Sequence, residues 1–236
     1  MSRVGVIAAL PVEAACLAGY SITPGEPYCI NDNLVVLVSG TGSARARTSA
    51  EKLLEFNVQA LVSWGVAGAM DIALHAGDVI LPEMITHASQ TYVPSPDWRQ
   101  RLHSRLQRNN FNVNSGAIAE VSDILISPEE KVKFHNATDA VAADMESAAI
   151  AAVATSANID YLAIRVISDD VTTSIPNAVL RYTNCYGQPV QPGFIFEILR
   201  HPVQIKLLIR LARGFRAAIN TLQSISNAIS DDLLYD

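Results

Sequence analysis

The sequence predicts an α/β fold: a single three-layer domain around a mixed, mostly parallel twisted sheet, followed by a C-terminal amphipathic helix. Apolar and β-branched runs recur along the chain and end at glycine or proline, as in strands covered on both faces. Segments with helical spacing separate these runs, an alternation typical of parallel sheets. Half of the 236 residues are hydrophobic, enough to bury a large core without disulfides.

Five apolar runs predict the main strands, and a sixth, weaker run predicts another. The five are 3–10, 33–40, 59–68, 77–83 and 161–170, and the weaker one is 115–122. Four segments between them predict helices: 43–57, 95–110, 127–138 and 144–158. The second and third helices open with Ser-Pro-acid, a typical helix start. The segments 20–33, 86–97 and 169–193 predict loops, the last an active-site cover or connector.

The segment 194–225 predicts a long amphipathic helix that is broken near Pro202. Lys206, Arg210 and Arg213 are spaced by four and three residues and therefore share one face. The opposite, apolar face consists of Ile205, Leu208, Ile209, Ala212, Phe215 and Ile219.

We therefore predict a catalytic domain at 1–193 and a helical extension at 194–236, packed on or beside it. Residues 194–222 carry a net charge of +4, whereas the rest of the chain carries −10. A basic amphipathic helix favours contact with an anionic membrane surface. The equally weighted alternative is an apolar stripe packed on the domain beneath a solvated basic face. The sequence has no evident secretion signal and no apolar run of about 18 residues, so we expect a cytoplasmic protein, peripheral at most to the inner membrane face.

Cysteine and histidine usage predicts no metal site and no redox cofactor. The three cysteines, Cys16, Cys29 and Cys185, are odd in number and lack ligand spacing, which suits a reducing compartment. The five histidines are scattered along the chain. We expect no nucleic-acid partner.

Polar residues follow the predicted strands at their carboxyl ends, where open α/β sheets bind ligands. They are Glu13, the glycine-rich 39–43, the turn 65–68, the acidic 168–170, and Asp144 and Glu146 before the small-residue helix. Each alone is explained by a helix cap or a strand-to-helix turn. Together, we expect them to converge on one crevice. Asp144 is interpreted as a cap of the helix.

The order of these motifs resembles the purine nucleoside phosphorylase and methylthioadenosine nucleosidase superfamily. The motifs are GVIAALPVEA (5–14), SGTGSARA (39–46), GVAGAMDIALHAGDVILPE (65–83), SDILIS (122–127), ADMESAAIA (143–151) and RVISDD (165–170). PSPDWRQRL (94–102) and the arginine-rich segment 197–222 are similar to the hopanoid-biosynthesis-associated phosphorylase branch. The resemblance implies that ordinary nucleosidases end sooner, so the tail discriminates between the two groups.

The resemblance implies cleavage of a ribonucleoside's N-glycosidic bond through an oxocarbenium-like transition state. Asp169 would protonate the purine at N7, for which burial or the nearby Asp170 must favour the protonated acid. Glu146 would bind the ribose hydroxyls and stabilise the growing positive charge, with Met145 packed against the sugar. The residues expected at the base are Leu125, Ile126 and Ser168.

The resemblance leaves the nucleophile open. Glu13 matches the acid that orients water in the nucleosidases, whereas the hopanoid branch is phosphorolytic, and we expect phosphate to be favoured. The chain lacks the early glycine-arginine phosphate site of superfamily phosphorylases. The residues that remain for the nucleophile or phosphate are Thr41, Gly42, Arg45, Arg165, Gly65 and Val66, the last standing where both groups have a hydroxyl residue.

The branch implies adenosylhopane as the substrate, a lipid-linked nucleoside from which adenine is released. No cofactor is implied, and phosphate would be a co-substrate in phosphorolysis. The superfamily also implies a homo-oligomer. Two alternatives stay open: a hydrolase of methylthioadenosine, adenosylhomocysteine or futalosine, and a nucleoside-binding protein without turnover.

Overall fold

The computed structural model describes residues 3–202 and 204–229. The strands are β1 (Val4–Ala8), β2 (Tyr28–Asn31), β3 (Leu34–Val38), β4 (Ala60–Ala69), β5 (Val79–Ile80), β6 (Ile85–His87), β7 (Gln90–Tyr92), β8 (Val113–Asn114), β9 (Ile118–Glu120), β10 (Ala142–Asp144) and β11 (Asp160–Asp169). The helices are α1 (Pro11–Ala18), α2 (Ser43–Leu54), α3 (Pro96–Arg108), α4 (Pro128–Thr138), α5 (Ser147–Ala157), α6 (Asn177–Tyr182), α7 (Gly193–Arg200) and α8 (Gln204–Ile229).

In these two ranges eleven strands form one mixed sheet around the long strand β4. β1 and β11 run parallel to β4 on either side of its first half. β10 pairs antiparallel with the last two residues of β4, Gly68 and Ala69, and continues the sheet into β9, β6 and β7. β3 and β2 extend it beyond β1, and β5 and β8 beyond β11. The predicted single α/β domain is therefore confirmed.

Helices cover both faces of the sheet. α2 and α5 lie on one face, where small residues such as Ala149 and Ala154 join the core. α1, α3 and α8 cover the other face, with Trp98 and Leu222 in its cluster. Every residue of β1 and β3 is buried, as expected of strands covered on both sides.

The final segment forms two helices, α7 and α8, separated by a break at Pro202 as predicted. The second half of α8 is buried in the core through Ala218, Leu222, Ile225 and Ile229. The first half departs from the predicted apolar face, because Ile205, Ile209 and Ala212 are exposed there. Residues 230–236 of the predicted extension lie outside the described residues.

The structure corrects the sequence analysis at several short elements. The helix α1 begins directly after β1, and β2, β7 and α6 lie within segments predicted as loops. Asp144 ends strand β10, so α5 begins at Ser147 and not at Asp144. These elements have three to eight residues. Such lengths are too short for apolar periodicity to reveal.

Candidate active site

A cavity of about 240 Å³ lies at the carboxyl ends of β1, β10 and β11 and beside the end of β4. Eight of the residues predicted for the site line it: Glu13, Thr41, Val66, Leu125, Met145, Glu146, Ser168 and Asp169. Five others do not line it: Gly42, Arg45, Gly65, Ile126 and Arg165. The predicted convergence on one crevice therefore holds for most, but not all, of these residues.

Glu13 is held in the first turn of α1 with only 1% of its surface exposed. Its Oε2 accepts the N–H of Leu10 at 2.8 Å, and its Oε1 accepts the N–H of Val66 at 2.9 Å. A Cβ at Gly65 would lie 2.6 Å from Glu13 Oε1, so the glycine lets β4 approach this carboxylate. Burial raises the pKa of Glu13, although Arg165 and the backbone N–H groups act in the opposite direction. A raised pKa suits a group that accepts a proton near neutral pH.

Glu146 is the N-cap residue of α5 and is 6% exposed. Its Oε1 accepts the N–H of Gly42 at 2.8 Å, and its Oε2 lies 3.7 Å from Arg165 Nη2. Burial raises the pKa of Glu146 to about 7, against the lowering effect of Arg165. Asp144 has the predicted capping role, because its Oδ1 accepts the N–H groups of Glu146 and Ser147 at 3.2 and 3.1 Å.

Arg165 lies behind the carboxylates, with 1% of its surface exposed. Its Nε donates to Asp144 Oδ2 and its Nη2 to Ser63 Oγ, both at 2.7 Å. Burial disfavours the cation, but Asp144, Glu146 and Glu13 outweigh this and raise the pKa of Arg165. The structure corrects its predicted role in phosphate binding, because the guanidinium is held by the protein behind the cavity wall.

The glycine-rich loop 39–43 is bound to the protein through its own N–H groups. The N–H groups of Gly40, Thr41 and Gly42 donate to Ala9 O at 3.0 Å, Cys185 O at 2.8 Å and Glu146 Oε1 at 2.8 Å. Gly40 and Gly42 have φ values of 79° and 106°, which favour glycine. Arg45 is exposed on α2 and donates to Thr41 O at 3.2 Å. None of these three N–H groups is therefore free to bind a phosphate.

Asp169 ends β11 and is 9% exposed. Its Oδ2 accepts a hydrogen bond from Lys131 Nζ at 2.5 Å, and its Oδ1 accepts one from Ser168 Oγ at 2.7 Å. Lys131 lies on α4 and is 1% exposed. Sequence analysis did not single out Lys131, since no local pattern distinguishes it from the exposed Lys133 on the same helix.

Asp170 faces away from the cavity toward α8. Arg210 Nη2 donates to both carboxylate oxygens of Asp170 at 3.0 Å. Although burial acts in the opposite direction, hydrogen bonds from Thr173, Thr172 and Arg210 lower the pKa of Asp170 to about 2. The two neighbouring acids therefore differ in role. Asp169 faces the cavity, whereas Asp170 forms an ion pair that links α8 to the loop after β11.

The segment predicted to contact the base is placed only in part at the cavity. Leu125 and its neighbour Ile124 line the wall. Ile126 is exposed, its N–H donates to Glu130 Oε2 at 2.7 Å, and its carbonyl oxygen accepts the N–H of Ile175 at 2.9 Å. Its backbone is therefore committed to the turn before α4, and the prediction that it contacts the base does not fit its position.

Comparisons with known proteins identify the family to which this fold belongs. The phosphorylase superfamily model matches residues 3–180. The chain belongs to this superfamily and is an enzyme of the nucleoside phosphorylase and nucleosidase class. The superfamily predicted from the motifs is thus confirmed, whereas the hopanoid branch stays a prediction.

Individual relatives are more distant. The 5′-methylthioadenosine/S-adenosylhomocysteine nucleosidase of Glaesserella parasuis serovar 5 is 23% identical over 197 residues, which cover 71% of this chain and 85% of the relative. The structure of the corresponding nucleosidase from Neisseria meningitidis, in complex with methylthio-immucillin-A, has a TM-score of 0.72 at 17% identity and covers 98% of this chain and 99% of its own. Futalosine hydrolase of Helicobacter pylori strain 26695 has a TM-score of 0.68 at 16% identity, covering 96% and 97%.

These coverages correct one argument from the sequence. The Neisseria nucleosidase matches nearly the whole chain, so an arginine-rich tail of this length does not by itself separate the chain from ordinary nucleosidases.

Proposed function

We propose that the protein cleaves the N-glycosidic bond of an adenine nucleoside whose 5′ carbon carries a large apolar group, with adenosylhopane as the first substrate to test. The observation that carries this proposal is the convergence of three buried carboxyl groups, those of Glu13, Glu146 and Asp169, on one cavity. The methylthioadenosine/adenosylhomocysteine nucleosidases that the chain is similar to support an adenine nucleoside as the class of substrate.

Glycosidic cleavage requires a protonated leaving base, a stabilised sugar cation and an activated nucleophile. Asp169, Glu146 and Glu13 would each meet one of these requirements. Asp169 would donate a proton to N7 of the purine, so that the base leaves neutral. Glu146 would accept hydrogen bonds from the ribose hydroxyls, and its negative charge would stabilise the cationic sugar. Met145, which lines the cavity beside it, would pack against the ribose. No metal ion or organic cofactor is needed for these steps.

We propose water as the nucleophile, although the resemblance to the hopanoid branch favoured phosphate. The N–H groups of Gly40, Thr41 and Gly42 are occupied, and Arg165 lies behind the wall. Among the described residues that line the cavity, Lys131 is the only basic one, and it is bound to Asp169. An incoming phosphate would therefore meet buried carboxylates without a free cation, whereas Glu13 would accept the proton of a water molecule.

The apolar wall supports a large apolar 5′ group over the charged substituents of adenosylhomocysteine or futalosine. Leu10, Ile175, Val179 and Leu211 contribute to it, the last two from α6 and α8. The lone basic side chain of the wall, Lys131, is already paired, so a carboxylate on the 5′ group would lack a partner. Adenosylhopane, whose 5′ substituent is a hydrocarbon, avoids this cost.

Release of the free purine base, adenine or, from futalosine, hypoxanthine, tests these proposals directly. The protein is incubated with adenosylhopane, methylthioadenosine, adenosylhomocysteine or futalosine, each with and without phosphate. We expect phosphate-independent adenine release with the highest kcat/KM for adenosylhopane. Release that depends on phosphate would support phosphorolysis in place of hydrolysis, and a preference for a small nucleoside would support the hydrolase alternative. Asp169→Asn, verified as folded, should bind but not cleave, and a wild type that binds without cleaving would support the binding protein.

We propose that α7 and the start of α8 contact an anionic membrane surface. On α7, Ile195, Phe196 and Leu199 are 52%, 59% and 74% exposed, and they share one side of the helix. The Arg200 guanidinium lies 5.2 Å from the Phe196 ring centroid, and Lys206 is exposed just beyond. Apolar side chains beside exposed cations suit a surface of acyl chains and acidic headgroups. None of the described helices is long and apolar enough to span a bilayer.

Vesicle flotation tests the membrane contact. We expect the protein to float with phosphatidylcholine vesicles that contain phosphatidylglycerol, and little of it to float with phosphatidylcholine alone. The double variant Phe196→Ala, Leu199→Ala should lose this flotation, whereas Ile72→Ala, at a 77% exposed position outside α7 and α8, should not. A light-scattering mass that shows the same double variant breaking a dimer would assign the surface to a second copy instead. The same mass measurement tests the homo-oligomer that the resemblance implies.

A further inference from the structure

Lys131 places a buried positive charge against the carboxyl group that must release a proton. We propose that Lys131 is a positioning residue that aims Asp169 at the base and sets the upper pH limit of the reaction. This inference rests on the proposed function, because it concerns how the same cavity performs its proton transfer.

Every hydrogen of the Lys131 ammonium group has a hydrogen-bond acceptor. Its ammonium group has three hydrogens and three acceptors: Asp169 Oδ2 at 2.5 Å, Asp170 O at 3.0 Å and Thr173 O at 3.0 Å. The lysine comes from α4, whereas its acceptors lie at the last residue of β11 and in the segment that follows this strand. Because Ser168 Oγ holds the other oxygen of Asp169, the carboxyl group is fixed from both sides.

The position of Lys131 follows from its helix. α4 begins with a capping box in which Ser127 accepts the N–H of Glu130 at 3.2 Å and Glu130 Oε2 accepts the N–H of Ser127 at 3.2 Å. This cap places Lys131 on the inner side of the first turn, while Val132 and Lys133 are exposed. The backbone link from Ile175 N–H to Ile126 O, at 2.9 Å, holds the segment before α4 against the loop after β11.

Other charges around Asp169 do not substitute for Lys131. Asp170 is turned to Arg210 of α8, and the acids of the remaining cavity wall add negative charge. The charged groups that face the cavity or lie directly behind it are Lys131 from α4, Glu13 from α1, Asp144 and Glu146 before α5, and Arg165 from β11, which is bound to Asp144. Lys131 is therefore the one cation among them in contact with Asp169.

An ammonium group at this distance favours the ionised carboxylate over the acid. Removing the charge in a variant should therefore let activity persist to higher pH. Loss of the fixed geometry should at the same time lower kcat.

The test compares the pH profiles of kcat/KM for the wild type and Lys131→Met on the substrate that gives adenine. We expect the alkaline limb of Lys131→Met to move upward by about one to three pH units. We expect its maximal kcat to fall about tenfold with little change in KM. Lys133→Met, two residues further and exposed, should match the wild type in both respects. Lys131→Arg, which keeps the charge, should keep the limb of the wild type.

A uniform loss of rate with an unmoved alkaline limb would overturn the inference, because a merely structural lysine predicts that result. A limb that moves equally in Lys131→Arg and Lys131→Met would also overturn it. If Lys131→Met does not fold, Lys131→Gln takes its place, with the same expected shift. A wild type that releases no adenine from any nucleoside would refute the proposed function and this inference with it, whereas an active wild type with unmoved variants refutes this inference alone.

Discussion

At the residue scale, the cavity is defined by buried charges whose environments differ. Glu13 and Glu146 are carboxyl groups whose pKa is raised by burial. Arg165 and Lys131 are cations held in fixed ion pairs, the first behind the cavity wall and the second in the wall, beside Asp169. A buried charge destabilises the folded state when its partner is removed. Substitutions at these residues should therefore change the free energy of unfolding as well as catalysis.

Glu146→Gln should change how stability depends on pH. The pKa of Glu146 is about 7 when folded against an ordinary value of 4.5, so its proton is bound more tightly in the folded state. Its contribution to stability is then fully present below about 4.5 and lost as pH rises to about 7. Relative to the wild type, the variant should gain roughly 2–3 kcal/mol between these limits. Urea denaturation at pH 4.5 and 8 measures this, with the exposed Glu51→Gln as control; parallel profiles would contradict it.

Asp169→Asn should destabilise the protein, because it leaves the Lys131 ammonium buried without a counter-charge. Breaking one side of a buried ion pair costs about 3–5 kcal/mol. Adding Lys131→Met removes the unpaired charge and should recover a large part of that loss. Urea denaturation of both single variants and the double variant gives the coupling, and Asp123→Asn, at an exposed position, serves as the control. Additive losses in the double variant would argue against the pair.

At the element scale, α8 is both a core helix and part of the site. Its second half packs against the core, Leu211 lines the cavity, and Arg210 binds Asp170 next to Asp169. Arg210 is therefore committed to an internal contact, although its spacing assigned it to a common basic face with Lys206 and Arg213. The predicted packing on the domain is therefore seen in the second half of α8, whereas membrane contact stays a proposal for α7 and the start of α8.

Arg210→Met should destabilise the protein by about 0.5–1 kcal/mol at pH 7, since the ion pair is partly exposed and screened by solvent. The pKa of Asp170 is lowered to about 2 from an ordinary 3.8. The stabilising contribution of that carboxylate is therefore present above 3.8 and lost as pH falls toward 2. The difference in Tm between variant and wild type should shrink over that window. Arg213→Met, exposed on the same helix, should leave Tm unchanged; an equal loss in both would contradict the assignment.

At the scale of the whole molecule, the cavity exists because elements distant in the chain are packed against one another. α8 approaches the end of β11 so closely that a Cβ at Gly214 would lie 2.3 Å from Ser168 O. The C-terminal helix thus lies directly against the strand that carries Asp169.

Gly214→Ala should lower both stability and kcat, although alanine is the better helix former by about 1 kcal/mol. The added methyl group must displace either α8 or the backbone of Ser168, which precedes the acid. Overpacking of this kind costs about 1–3 kcal/mol. Denaturation and adenine release measure the two effects. Asn220→Ala, exposed on α8, should be neutral or slightly stabilising, and a Gly214→Ala variant with wild-type activity would contradict the close contact.

The sequence by itself determined the fold class, most of the long elements and the superfamily, because apolar periodicity and contiguous motifs are local properties. It also indicated Glu13, Glu146 and Asp169 as cavity residues, since ligands gather where parallel strands end. Only the tertiary structure decided that Lys131 pairs with Asp169 across 38 positions, that Arg165 lies behind the wall, and which part of α8 is exposed. The role of a charged side chain depends on its partner. A partner that is distant in the sequence and is brought near only by folding cannot be predicted from local residue spacing.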